Sequence, residues 1–181
     1  MSCSENTSNE LHTIENKLKS DFDVSGDYRD FSQKMKIGDT IFIDVNLSLH
    51  GYEEYDRLRI TKTNQKIRLK VIELKMYNLE PETIEFPEVD YDLYGDTLSL
   101  ENIFTVIDNA YSSEMTTPFF TIYSPDKKDT IRLTTKSASQ KQMLRDQFFS
   151  IYDILYSQQR DELCEKYFTA CWPFPTPMLS D

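Results

Sequence analysis

Apolar and polar positions alternate in several stretches of the chain, and each alternation predicts an extended strand. The strictest runs through Ile41, Ile43, Val45, Leu47 and Leu49, interleaved with Phe42, Asp44, Asn46 and Ser48. Period two held this long predicts a strand with one buried face. A loop at His50-Gly51 and Glu53-Glu54 leads to a second strand, with Leu58 and Ile60 set between Arg57, Arg59 and Thr61. The third strand carries Ile67, Leu69 and Val71 between Lys66, Arg68 and Lys70, then flips its apolar phase to Ile72, Leu74 and Met76. A flip in mid-strand predicts a bulge near Val71-Ile72, and Asn64-Gln65 stands at hairpin length before it. Leu98, Leu100, Ile103 and Val106 predict another strand. Phe120 and Ile122 predict the next, and Ile131, Leu133 and Thr135 the last, with a turn at 125–129 between these two.

Two segments follow the helical period instead. Leu144, Phe148, Ile151 and Leu155 recur at steps of four, three and four, one face of a helix that starts at Ala138. Leu11, Ile14, Leu18 and Phe22 predict an amphipathic helix over 9–22, capped by Ser8 or Asn9 and ended by Gly26 with its Asp and Ser neighbours. Most short helices of this kind dock on their own domain, and binding a partner is the sharper alternative. Residues 80–96 are acidic and contain Pro81 and Pro87, which exclude a central strand and leave a long loop or an edge strand at 84–86. Strands at regular spacing closed by one helix define a mainly β domain with a helical plug.

That order of elements resembles a pleckstrin-homology (PH) domain. The likeness is carried by 96–103 (DTLSLENI) as a fifth strand, 119–122 (FFTI) as a sixth and 130–137 (TIRLTTKS) as a seventh, with the terminal helix following. The resemblance implies a half-open barrel or orthogonal sandwich of about seven antiparallel strands, capped by a C-terminal helix and preceded by a short N-terminal helix. PH domains usually carry a tryptophan in the terminal helix, where this chain has Leu144, so the likeness is to the PH-like superfold. The resulting organisation is a polar tail at 1–8, a helix and linker at 9–35, a PH-like domain at 36–165 and a Pro-rich tail at 166–181. The superfold hosts unrelated functions.

The chain has 181 residues, enough for one substantial core. Eleven Phe and eleven Tyr supplement a modest aliphatic content, and four Gly argue against a glycine-built nucleotide loop. A net charge of −11 disfavours nucleic acid as a partner and generic attraction to anionic lipid. A polar N-terminus, no long apolar run and an odd set of cysteines (Cys3, Cys164, Cys171) suit a reducing, cytoplasmic setting, with peripheral membrane attachment left open.

Chemistry-bearing patterns are few. His12 and His50 are isolated, and neither stands at metal-ligand spacing from a cysteine, so neither a metal nor another cofactor is expected. No nucleophile elbow, zinc-protease motif or phosphate loop is present, so enzyme activity is not expected. PH domains that read phosphoinositides present spaced Lys and Arg around the first hairpin. Here Arg57, Arg59, Lys62, Lys66, Arg68 and Lys70 form such a stripe, although the first strand contributes no lysine. Alternation in a half-solvated sheet produces the same pattern, and the acidic flank favours that plainer origin. For protein partners, the acidic aromatic stretch with Phe86, Tyr91 and Tyr94 and the tail with Trp172, Pro173 and Pro175 are the candidate contacts. Phe86 and the tyrosines serve equally to hold that loop on its own domain, and Trp172 with Phe174 serves equally for self-docking. The expectation is a non-enzymatic interaction or adaptor module in intracellular signalling or scaffolding. The alternative is a phosphoinositide-dependent membrane recruiter.

Overall fold

A computed structural model of the chain describes residues 18, 20–48, 53–64, 66–77, 85–91, 98–107, 117–159 and 161–162. The expected loop at His50-Gly51, the polar tail at 1–8, most of the 9–22 helix, Tyr94 and all of 166–181 lie outside them.

Among the described residues six strands form one antiparallel sheet: β1 Thr40–Asn46, β2 Glu53–Lys62, β3 Ile67–Tyr77, β4 Val89–Asp90, β5 Phe120–Tyr123 and β6 Thr130–Leu133. Their spatial order is β4-β3-β2-β1-β5-β6, an open sheet with β4 and β6 at its edges. The strict alternation around Ile41 is β1, and Ile41, Ile43 and Val45 are fully buried. Glu53 and Glu54, expected in a loop, begin β2, because the β2–β3 hairpin continues its pairing out to Glu53 opposite Tyr77.

The phase flip in the third strand is a bulge. Arg57 faces Glu73 while Leu58 faces Val71, so Ile72 is the extra residue. Leu69 and Val71 join the main core, whereas Ile72 belongs to a separate cluster with Phe42 and Tyr123 on the opposite face.

Among the described residues the helices include α1 Val24–Asp27, α2 Phe31–Lys34, α3 Leu100–Ile107 and α4 Ala138–Leu155, with a 3-10 turn at Tyr28–Asp30 between the first two. Gly26 does not end a helix. It lies within α1, whose start is set by Asp23 accepting from the Gly26 amide at 2.9 Å. Leu18, Ser20, Asp21 and Phe22, expected at the end of the N-terminal helix, are not helical.

The stretch expected as a strand around Leu98–Val106 is a helix instead. Leu100, Ile103, Phe104 and Ile107 are all buried, spaced by three, one and three, which is a helical face that an alternating reading misses by skipping Phe104. Ser99 caps it, with its hydroxyl accepting from the Asn102 amide at 3.2 Å.

The core lies between one face of the sheet and the helices. Leu144, Phe148 and Ile151 of α4 are buried there as the spacing predicts, joined by Tyr152 and Tyr156. Phe148 meets Phe120 of β5 at 6.0 Å and Tyr152 at 4.6 Å between ring centroids. Tyr152 also donates from its hydroxyl to Asp56 Oδ2 on β2 at 2.8 Å, which satisfies a buried carboxylate oxygen and fixes α4 against the sheet. Ser137 starts the helix by accepting from the Gln140 amide. Among the described residues no helix is long and apolar enough to cross a membrane.

Candidate functional site

The basic stripe is built by strand pairing. Asp44 faces Arg57 across β1 and β2, Arg59 faces Lys70 across β2 and β3, and Arg68 faces Asp90 across β3 and β4. Directly opposed residues share a face, so Arg57, Arg59, Lys66, Arg68 and Lys70 stand together on the side of the sheet away from α4. Lys62 does not join them. It falls on the alternate positions with Leu58 and Ile60, at the end of β2.

The stripe does not stand alone. Residues 85–91 run along the outer edge of β3, held by backbone bonds from Phe86 N to Val71 O (3.1 Å) and from Tyr91 N to Ile67 O (2.7 Å). This is the edge strand expected at 84–86, displaced so that its paired residues are Val89 and Asp90. Its acids meet the cations one by one. Lys70 Nζ is 2.8 Å from Glu85, and Glu88 lies 3.1 Å from Arg59 and 3.3 Å from Arg68. Asp90 pairs with both Lys66 and Arg68. The hydrogen bond from Lys66 outweighs the opposing desolvation and, with the charges of Arg68 and Lys66, holds the Asp90 carboxyl below the usual carboxylate range. At the centre of the face, Arg57 Nε donates to Asp44 at 2.7 Å, and the Tyr123 hydroxyl donates to the same oxygen at 3.1 Å. All five cations therefore have an acidic partner within the chain.

The aromatic residues expected to contact a partner, Phe86 and Tyr91, face inwards instead. Phe86 is 2% exposed, edge-on to Tyr156 at 5.2 Å, and Tyr91 is 8% exposed, 5.5 Å from Phe31. Tyr91 accepts from the Leu100 amide at 2.8 Å and donates to Glu101 at 3.3 Å. Burial and the Glu101 charge push its phenol well above the ordinary tyrosine value. The Tyr156 hydroxyl donates to the Pro87 carbonyl at 3.2 Å. These anchors hold the acidic segment in place. Phe86 and Tyr91 bind the loop to its own domain because two large rings on a polar loop gain more from the core than from water.

A second surface was not evident from the pattern. Between β4 and the C-terminal end of α4 lies an open groove of about 600 Å³, lined by Arg68, Glu88, Val89, Asp90, Ile154, Leu155, Ser157, Gln158 and Gln159. Ile154 is 50% exposed there. Its one visible signal is that an apolar residue lies off the Leu144-Phe148-Ile151 face. Nothing in the period says that a groove would form beside it.

Trp172, Pro173, Pro175, Tyr94, His12, His50 and the three cysteines lie outside the described residues. Among those described, no group of three His, Cys, Asp or Glu side chains is arranged to hold a metal ion. Compared with protein-family models, curated proteins and solved structures, the chain matches none of them.

Proposed function

We propose that the chain is a non-enzymatic protein-interaction module of PH-like architecture, acting as an adaptor in cytoplasmic signalling or scaffolding. The PH-like assignment rests on strand order and the closing helix α4. An antiparallel sheet with a bulge at Ile72 and α4 packed on one face supports that reading. The helix α3 in place of a fifth strand is its chief departure from that pattern.

The observation that carries the functional reading is the placement of charge and apolar surface. The cations that a phosphoinositide would need are engaged by Asp44, Glu85, Glu88 and Asp90, whereas Ile154 stands half-exposed in a groove beside a sheet edge. In antiparallel pairing, β4 residues alternate in pointing their backbone groups towards β3 and away from it. Tyr91 bonds towards β3, so Asp90 presents its backbone outwards, where an extended peptide adds as a further strand. Such a peptide would set an apolar side chain on Ile154, Leu155 and Val89, with the Gln158 and Gln159 amides free to orient it.

Selection from a displayed peptide library on the immobilised chain tests this. Selected peptides should be apolar and extended, lose binding to Ile154→Glu, and keep it with Arg57→Ala. Peptides indifferent to Ile154→Glu, or no selection at all, would remove the groove as the interaction surface.

A further inference from the structure

The groove beside β4 has two walls, and both carry negative charge. On the sheet side, Asp90 stands directly opposite Arg68, so the two share the face away from α4. Glu88 reaches the same guanidinium at 3.3 Å, and Asp90 accepts from it as well. One guanidinium and two carboxylates therefore line the groove. Their pairing does not close the carboxylates off, since the Glu88 side chain is 39% exposed and that of Asp90 30%. The opposite wall is the end of α4. A helix of 18 residues gathers partial negative charge at its C-terminus, and no basic residue stands in the last turn of α4 to offset it.

Strand geometry says which side chains of an added peptide meet that charge. Val89 packs against the main core, on the face opposite to Asp90. A peptide laid along the outer edge of β4 sets one residue beside Asp90 on the face away from α4. Its two neighbours then point towards Val89, Leu155 and the half-exposed Ile154. An acid beside Asp90 would meet two carboxylates and a helix C-terminus. A cation there pairs across strands, as Arg68 does with Asp90 from the other side and Arg57 does with Asp44.

We infer that the groove takes a cationic extended segment of a partner protein, in which Lys or Arg alternates with apolar residues. This rests on the groove reading above and gives its partner a charge. The net charge of −11 acts in the same direction, drawing a basic segment in before contact. Acidic segments of the same apolar pattern are the ones the groove turns away.

The test is a displayed library of peptides with fixed apolar residues at alternate positions and randomised residues between them, selected on the full chain. Lys and Arg should be enriched about threefold over the input at the randomised positions, and Asp and Glu depleted. Asp90→Asn should abolish that enrichment. Asp126→Asn makes the same change in net charge on the β5–β6 turn, at the other end of the strand order, and should leave it intact. If Asp90→Asn does not fold, Glu88→Gln takes its place. Selection without cation enrichment would overturn this inference and leave the groove standing as an apolar site. Enrichment that falls equally with Asp126→Asn would also overturn it, since overall charge would then be the cause. No selection at all would remove the inference and the groove together.

Discussion

Tyr91 joins three parts of the molecule through one side chain. Its ring packs on Phe31 of α2, its hydroxyl accepts from the first amide of α3, and its backbone bonds to Ile67 of β3. A helix start leaves amides without partners inside the helix, and a buried one must find an acceptor elsewhere. Tyr91→Phe keeps the ring and deletes only that acceptor. We expect it to cost about 1–3 kcal/mol in chemical denaturation, with Glu101 also losing a donor. An unchanged midpoint would mean that the Leu100 amide finds another partner at no cost. The residue pattern marks Tyr91 as an aromatic in an acidic loop, which does not reveal its burial. A periodicity reading cannot do so, because the segment pairs with β3 over only two residues and has no alternation to read.

At the scale of elements, legibility followed length and regularity. β1, β3 with its bulge, the β5–β6 turn and α4 were all visible in the sequence, because each repeats its period or breaks it sharply enough to read. α3 reads as a strand because it is only eight residues long, and Leu98, just before it, imitates alternation with Leu100. The edge segment 85–91 depends on contacts distant in sequence, among them Tyr156 with Pro87. Its two tyrosine anchors carry a pH signature. Burial raises the phenols of Tyr91 and Tyr156, so the folded state keeps protons that the unfolded chain releases near pH ~10. Their contribution is intact below that value and is lost as pH rises above it, towards the folded-state values. Urea midpoints should therefore fall from about pH 9 to about pH 11. The Tyr91→Phe/Tyr156→Phe double variant should fall less steeply, and equal slopes would show that these anchors are not what alkali loosens.

For the molecule as a whole, the distribution of charge matters more than its sum. A net charge of −11 and a six-cation stripe look contradictory in the sequence, and the pairing in space of the five that share a face reconciles them. The stripe and the acidic segment were each legible. Their union was not, because it depends on which strand becomes β3's neighbour. Exposed ion pairs each contribute little to stability, about 0–1 kcal/mol, so the pairing has more effect on what the surface can bind than on whether it folds. We propose that Glu85, Glu88 and Asp90 withhold this stripe from anionic ligands. Co-sedimentation with phosphoinositide-containing vesicles at low salt, comparing the native chain with Glu85→Gln/Glu88→Gln/Asp90→Asn, tests it most directly. The native chain should stay in solution, and the variant should sediment in a salt-sensitive way. Sedimentation of the native chain as strongly as the variant would contradict it.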